Sequence, residues 1–428
     1  MVNSGIPWIG EIPKDWKVCF IKQIMRNKSI KGYPDEMVLS LYRDYGVVPK
    51  DSRSDNHNVT SEDTSSYKFV EVGDFVINKM KAWQGSMAVS EFQGIISPAY
   101  YICRFTSNEV NKRYIHYLLR NDSYKAEYMR LSSGLRVGQW DLNIDDFLRI
   151  KMVLPSLEEQ QKIASFLDRK SSEVDEMIAL QEQIIEELKA YKQSVITEAV
   201  TKGLNPAAPM RDSGIEWIGQ VPEHWECGLF WKLNYIRGRL GWKGLKADEY
   251  QDIGYPFLSA FNIINDKLDW NDINRITKER YDESPEIKLS QGDILIVKDG
   301  AGIGKCARID NLPLGEATVN SSLAVISPNE RLHYKFEYYY LLSAPFQSVI
   351  WLLKIGMGVP HLTQENMRSI VIIYPSIIEQ QTIADYLDSK CSDIDNLINI
   401  KQQKIDSLKE YKKSIIYEYV TGKREVNE

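Results

Sequence analysis

Several stretches place chemically capable side chains close together, and each can be held against the chemistry it imitates. Asp299-Gly300-Ala301-Gly302-Ile303-Gly304-Lys305-Cys306 follows an apolar run and ends in Gly-Lys, like a loop that cradles nucleotide phosphates. Such a loop needs a glycine five places before the Gly-Lys glycine and a hydroxyl after the lysine to hold Mg²⁺. Asp299 and Cys306 occupy those places. Nucleotide hydrolysis is therefore not expected, and the segment reads as a glycine-rich turn joining two strands. Glu286-Ile287-Lys288, with Asp272 or Asp282 upstream, has the order of nuclease carboxylates, but the triplet is common by chance and Pro285 places it beside a loop. Asn205-Pro206-Ala207-Ala208 lacks the aromatic fourth residue of an amino-methyltransferase motif. His57, His116, His224, His333 and His361 include no helix-spaced pair, so surface or loop positions are expected for them. Cys19, Cys103, Cys227, Cys306 and Cys391 never form a CxxC pair. That argues against a zinc site or a disulfide framework and fits a reducing cytoplasm. Neither a metal nor a catalytic residue is expected in this chain.

The elements that carry these residues belong to a chain of 428 residues, long enough for two domains, with 43% hydrophobic and 26% charged content. No apolar run approaches the ~20 residues needed to span a bilayer. The opening MVNSGIPWIG has neither a basic nor an apolar leader region. Net charge is −6, made of +3 over residues 1–153, −4 over 154–203, −3 over 204–373 and −2 over 374–428. Overall charge therefore does not mark a nucleic-acid binder, although phosphate contacts need only a few well-placed cations.

The chain is written twice. SGIPWIGEIPKDWK at 4–17 returns as SGIEWIGQVPEHWE at 213–226, and the block 154–203 returns at 374–423 with about half its positions identical. Between these blocks the halves diverge, with echoes: Val72–Ile77 faces Gln291–Ile296, and Leu142 faces Leu362. Similar ends with dissimilar middles suggest one scaffold carrying two different readers.

The repeated blocks are expected to be helical. Residues 158–200 contain no proline or glycine, and apolar residues recur at Ile163, Leu167, Val174, Met177, Ile184, Leu188, Tyr191 and Val195. The second copy offers Ile383, Leu387, Ile394, Leu397, Leu408, Tyr411 and Ile415. Stripes of this spacing, flanked by Glu and Lys, are coiled-coil seams. Ser156 and Ser376 are expected as N-caps, with Glu159 and Glu379 completing capping boxes. Short strand-like runs, including Asp293–Val297 and Ser322–Ile326, and short helices at Lys112–Arg120 and Lys335–Leu342 fill the rest. The expected architecture is α+β: two globular domains separated by two long antiparallel coiled-coil helices, a tandem duplication with pseudo-two-fold symmetry. The expected segments are a domain at 1–153, a long helix at 154–203, a second domain at 204–373 with a linker at 204–212, and a second long helix at 374–428.

A WIGxxPxxW opening, a Gly-Asp strand and a Pro-Ser-x-x-Glu-Gln-x-x-Ile-Ala-x-x-Leu-Asp helix start, all occurring twice, resemble type I restriction–modification specificity subunits. The residues are Trp8, Pro13 and Trp16 with Trp217, Pro222 and Trp225; then Glu159, Gln160, Ile163, Ala164, Leu167 and Asp168 with Glu379, Gln380, Ile383, Ala384, Leu387 and Asp388. The resemblance spans the whole chain in the right order. It implies two target-recognition domains reading a bipartite double-stranded DNA sequence, and helices that dock two methyltransferase subunits. It also implies restriction/translocase subunits as partners, with S-adenosylmethionine, ATP and Mg²⁺ held in those partners, and no membrane. Candidate DNA-contacting residues are Lys79, Lys81, Gln84, Arg136 and Gln139 in the first half. In the second they are Ser259, Asn262, Lys298, Lys305, Asn320, His361 and Gln364. Candidate scaffold residues are Glu159, Gln160, Leu167, Leu188, Tyr191, Glu379, Gln380, Leu387, Leu408 and Tyr411. Trp8, Trp16, Trp217 and Trp225, in repeated positions, are expected to pack, whereas Trp83 and Trp140 lie in divergent loops and could face DNA. The competing reading is a coiled-coil adaptor whose domains bind proteins without DNA specificity.

Overall fold

The computed structural model describes residues 1–43, 45–53, 63–134, 140–238, 245, 247–300, 302–353 and 361–426, with the backbone alone for Gln364. These fall into two compact units, residues 1–182 with 402–428, and residues 183–401. In the first unit, strands β1 (Met25–Lys28), β2 (Phe75–Asn78), β3 (Met87–Val89) and β4 (Tyr100–Phe105) form an antiparallel sheet in the order β1-β4-β2-β3. Helix α1 (Lys112–Arg120) covers it, and helix α2 (Leu157–Lys202) begins beside it. In the second unit, β5 (Asn234–Arg237), β6 (Ile294–Val297), β7 (Cys306–Arg308) and β8 (Leu323–Pro328) repeat the arrangement as β5-β8-β6-β7. There α3 (Tyr334–Leu342) takes the place of α1, and α4 (Ile377–Val420) begins beside it. Register repeats as well: Ile77 lies opposite Tyr101, and Ile296 opposite Ala324.

The repeated Gly-Asp pairs explain how each sheet is braced. Gly73 and Gly292 both sit at φ +89°, closing a turn that few other residues adopt. The following aspartates bond back into the turn, Asp74 accepting from Glu71 N at 2.9 Å and Asp293 from Ser290 N at 2.8 Å. Each also holds a cation from the edge strand two places away in its sheet, Lys28 Nζ of β1 at 2.7 Å and Arg237 of β5 at 2.8 Å.

The Glu-Gln-x-x-Ile-Ala-x-x-Leu-Asp motif is a set of anchors between each long helix and its domain. Ser156 Oγ accepts from Glu159 N at 3.2 Å, and Ser376 Oγ from Glu379 N at 3.4 Å, so the expected N-caps form. The reciprocal half of the capping box does not. Glu159 instead accepts from Trp16 Nε1 at 3.0 Å and Glu379 from Trp225 Nε1 at 3.1 Å, because a buried indole N–H needs that acceptor more than a helix end open to water does. Gln160 is fully buried and bonds Asn111 N at 2.8 Å, Glu109 O at 3.0 Å and Pro155 O at 2.9 Å. Gln380 does the same with His333 N, Arg331 O and Pro375 O, each at 2.8 Å. Asp168 accepts from Arg113 at 2.7 Å and Tyr117 OH at 2.6 Å; Asp388 accepts from Arg308, Lys335 and Tyr339 OH. Burial opposes ionisation of Asp388, but these three hydrogen bonds outweigh it and hold its pKa below the usual range.

Within each unit the long helices run antiparallel. Phe166 meets Tyr419 at 4.5 Å and Asp175 pairs with Lys412 in the first, while Lys192 pairs with Asp395 at 2.7 Å in the second. The seam corrects the expected stripe. Ile163, Leu167, Val174, Ile185 and Ile196 are buried, as are Ile383, Leu387, Ile394, Ile405, Leu408 and Ile415. Met177, Tyr191, Leu397 and Tyr411 are exposed, and Ile184 and Leu188 are half-buried. A step of three after Val174 or Ile394 leaves the seam, whereas the step of four stays on it.

Each long helix ends against the domain that it does not begin on. Ile196, Ala199 and Val200 of α2 enter the second unit's core, and Ile415, Tyr419 and Val420 of α4 enter the first's. Both end on a left-handed glycine, Gly203 at φ +73° and Gly422 at φ +70°. A Cβ at Gly422 would stand 2.4 Å from Pro13 Cδ, and one at Gly203 3.4 Å from Trp225. Beyond Gly203 the segment expected as a linker is not wholly irregular, since Met210–Asp212 pairs with Gln220–Pro222.

Two buried polar groups distinguish the cores. His116, expected at the surface, is buried on α1, where Val89 N donates to its Nδ1 at 3.3 Å and Arg120 lies 2.8 Å from its Nε2. The apolar pattern of α1 does not reveal that its histidine faces inward. Burial, then Arg120 and Arg113, push its pKa well below the ordinary value. In the second unit Glu337 is fully buried with Asn234 Nδ2 donating to it, at places where the first unit holds Met25 and Ile115. Glu337 Oε2 and Asn234 Oδ1 have no hydrogen-bond partner, and burial pushes the Glu337 carboxyl up to about 8. A folded pKa above the unfolded one gives stability that is present below about 4.3 and lost as pH rises through about 8. Glu337→Gln should therefore flatten the pH dependence and be the more stable protein at pH 9, by an amount on the order of a few kcal/mol. Denaturant melts of both proteins at pH 6 and pH 9 check this; parallel pH profiles would show that Glu337 ionises normally.

Candidate nucleic-acid interface

In the second unit, candidates far apart in sequence meet at one end of the sheet. The loop 298–305 joins β6 to β7 as a hairpin, and a strand rather than a helix follows it, so the Gly-Lys segment is a turn and not a phosphate loop. Lys298 N donates to Ser322 O at 2.9 Å, and Leu362 N to Lys298 O at 2.8 Å. Ser322 Oγ accepts from Ala260 N at 3.3 Å, and Asn320 N donates to Leu258 O at 2.8 Å. These bonds gather the Ser259–Asn262 turn, the Asn320–Ser322 turn, the hairpin and His361. Lys298 is half-buried with Nζ 3.4 Å from Asp299, whose carboxylate also holds His361 Nδ1. Lys305 is exposed on the hairpin.

Not every candidate presents its side chain. Asn262 is 7% exposed; its Oδ1 accepts from Ser259 N and Oγ, and its Nδ2 donates to Asp272 O at 2.9 Å. Asn320 Oδ1 accepts from Ser322 N at 3.0 Å and Ser322 Oγ at 2.6 Å. These amides shape the turns. Gln364 opens the short helix Gln364–Arg368, whose N-cap Thr363 Oγ1 accepts from Asn366 N.

The first unit places Lys79, Lys81 and Gln84 on the connection between β2 and β3, the counterpart of the hairpin in the second. Leu142 N donates to Lys79 O at 3.1 Å, repeating the Leu362–Lys298 bond. Lys79 Nζ lies 3.8 Å from Asp141, and Lys81 is exposed. Trp83 and Trp140 pack edge to face at 5.6 Å, and the Trp83 indole N–H is buried without a partner. Arg136 and Gln139 lie outside the described residues. So do His57 and most of the polar loop around it.

Of the nuclease-like residues, Lys288 pairs with Asp282 at 2.6 Å and stands 4.0 Å over the Tyr281 ring. Among the described residues no group of three His, Cys, Asp or Glu side chains is arranged to hold a metal. No helix among them is long and apolar enough to cross a membrane. Residues that sequence reasoning missed include Phe261 and Tyr45, whose side chains are 92% and 60% exposed on loops of the two domains. Their apolar type pointed to the interior, and only the turn geometry shows otherwise.

The sequence profile of the type I restriction modification DNA specificity domain matches residues 13–190 and again 241–410. The MjaVIII type I restriction enzyme specificity subunit of Methanocaldococcus jannaschii is 27% identical over 430 residues, covering 96% of this chain and 93% of that protein. A chain from a structure concerned with complex assembly and conformational transition of the type I R-M system superposes with a TM-score of 0.71 at 15% identity, over 96% of this chain and 98% of its own. The HsdS subunit from Thermoanaerobacter tengcongensis gives 0.53 at 15% identity, over 97% and 98%. The two structures share the fold, and the profile match covers both repeats. The chain belongs to the type I restriction–modification DNA specificity family, the non-catalytic DNA-recognition subunits of those systems.

Proposed function

We propose that the chain reads a bipartite DNA target, one half-site through each domain, and scaffolds the methyltransferase and restriction subunits of a cytoplasmic type I complex. The observation that carries this is the duplication itself. One braced sheet and one helix anchor occur twice, while the loops at Lys79–Gln84 and Lys298–Lys305 differ in sequence. A frame repeated with different loops suits two readers of unlike sequence on a duplex that has its own two-fold axes. Exposed apolar residues at matching places of the two long helices support docking of two copies of one partner. Met177, Leu180 and Tyr411 in the first unit have Leu397, Ile400 and Tyr191 as repeat counterparts in the second, all 45% to 58% exposed. S-adenosylmethionine, ATP and Mg²⁺ belong, in this reading, to the methyltransferase and restriction subunits.

The test is expression with and without the cognate methyltransferase, followed by genome-wide mapping of modified bases. A stable complex that methylates a two-part sequence is expected, with poor solubility or weak DNA binding for the chain alone. Methylation or cleavage by the chain alone would refute the assignment, and methylation of a continuous, unsplit sequence would refute the two-reader model.

A further inference from the structure

Phe261 is the most exposed large apolar side chain among the described residues, at 92%. It is not on a loosely held loop. It sits in the single turn Ala260–Asn262, between the buried Leu258 and Ile263. Asn262 N donates to Ser259 O at 3.0 Å, Asp269 N to Asn262 O at 2.8 Å, and Ala260 N to Ser322 Oγ at 3.3 Å. With the Asn262 amide bonded to Ser259 and Asp272, the backbone on both sides of the phenyl is pinned. A ring held this way in water adds nothing to folding, and its placement is fixed before any ligand arrives.

The surroundings indicate the ligand. Ser322, which holds this turn, also holds Lys298 through its carbonyl, and the hairpin that carries Lys298 carries the exposed Lys305. A protein-docking surface would show a contiguous apolar patch. Here the turn that carries the aromatic is bonded to Ser322 and through it to the lysine hairpin, and Ile264 is the one other exposed apolar side chain within three residues of it, a setting that suits a base stack flanked by phosphates. We propose that Phe261 is a DNA-contacting wedge: its ring enters the stack at one base step of the half-site read by the second domain, while the lysines engage the backbone. This rests on the reading that this end of the second domain faces DNA. The first domain carries a related device, since Tyr45 follows the strand Leu39–Tyr42 and is capped by the Arg53 guanidinium at 3.9 Å.

The experiment uses the full chain in complex with its methyltransferase subunits and a duplex of the mapped target, with 2-aminopurine replacing each purine in turn. The expected result is a fluorescence rise at one step of the second half-site. Phe261→Ala should abolish that rise and weaken binding about ten- to hundredfold, with an unchanged melting temperature because the ring is solvated. Phe261→Trp should retain both. Lys305→Ala should keep the fluorescence rise while lowering affinity and reducing the salt slope by about one. If Phe261→Ala binds within about twofold of the parent and keeps the signal while Lys305→Ala weakens binding, the face is right and the wedge is wrong. If neither these variants nor Lys298→Ala alters binding, the face itself is wrong and the wedge falls with it. If Phe261→Ala instead impairs assembly with the methyltransferase in the absence of DNA, the ring is a protein contact and the proposal is overturned.

Discussion

Exchanging residues 18–150 for the matching segment of another family member should change one half of the DNA target and leave the other half as it was. The expected effect is large, because specific and non-specific binding differ by about 10³-fold or more and base contacts at separate positions add nearly independently. The structure also sets a condition on the donor. The segment brings Asn111, Arg113 and Tyr117, whose partners Gln160 and Asp168 remain in the recipient. A donor lacking an arginine or lysine and a tyrosine at those places would leave Asp168 without these hydrogen bonds, and one whose helix starts elsewhere would take the backbone partners Asn111 N and Glu109 O from the buried Gln160. With those anchors kept, methylome sequencing should show a new first half-site beside the old second one. A change in both halves would mean that the two domains do not read separately.

Lengthening the helices should lengthen the unread spacer between the half-sites. Because α2 passes from the first unit to the second and α4 passes back, an insertion in one helix alone would set their pairings against each other. The matched change is four residues after Glu182 and four after Lys401, where the helices cross between units. Each insert adds about 6 Å and turns the helix about 400°, so the seam returns to within about 40° of its line. Six ångströms corresponds to about two base pairs at roughly 3.4 Å each. A plasmid library with randomised spacers should then be methylated with a preference about two pairs longer and with both half-sites unchanged. Matched two-residue inserts turn the stripe by about 200° and should mainly destabilise the complex. A stable four-residue variant with the parental spacer would show that the helices do not set the distance.

Much of the frame was legible because its signals are local. The apolar run at Ile294–Val297 reads as a strand wherever it packs, and a 43-residue stretch without Pro or Gly reads as helix. Other features depend on which neighbour arrives. Ile184 and Ile185 are equally apolar, and only the partner helix makes Ile185 the buried one. Glu159 sits where a capping box would use it, yet a tryptophan 143 residues away takes the carboxylate. At the candidate site, Lys298, Asn320 and His361 could be picked by type and are brought together by backbone bonds. Asn262, picked for the same reason, is an internal brace. Phe261 is apolar by type, which points to the interior, and only the turn that holds it shows that it faces outward.

The crossing of the helix ends has a consequence for biosynthesis. The second unit is one continuous stretch, 183–401, whereas the first closes only when Ile415, Tyr419 and Val420 arrive beneath Trp16 and Tyr114. The domain that leaves the ribosome first is therefore finished last. At about 5–20 residues per second it waits on the order of tens of seconds with part of its apolar floor uncovered, a window in which chaperones would be needed. The same wiring fixes where damage falls: a premature stop or a proteolytic nick in the final turns of α4 removes no residue of the second unit and takes core residues from the unit encoded at the opposite end of the gene.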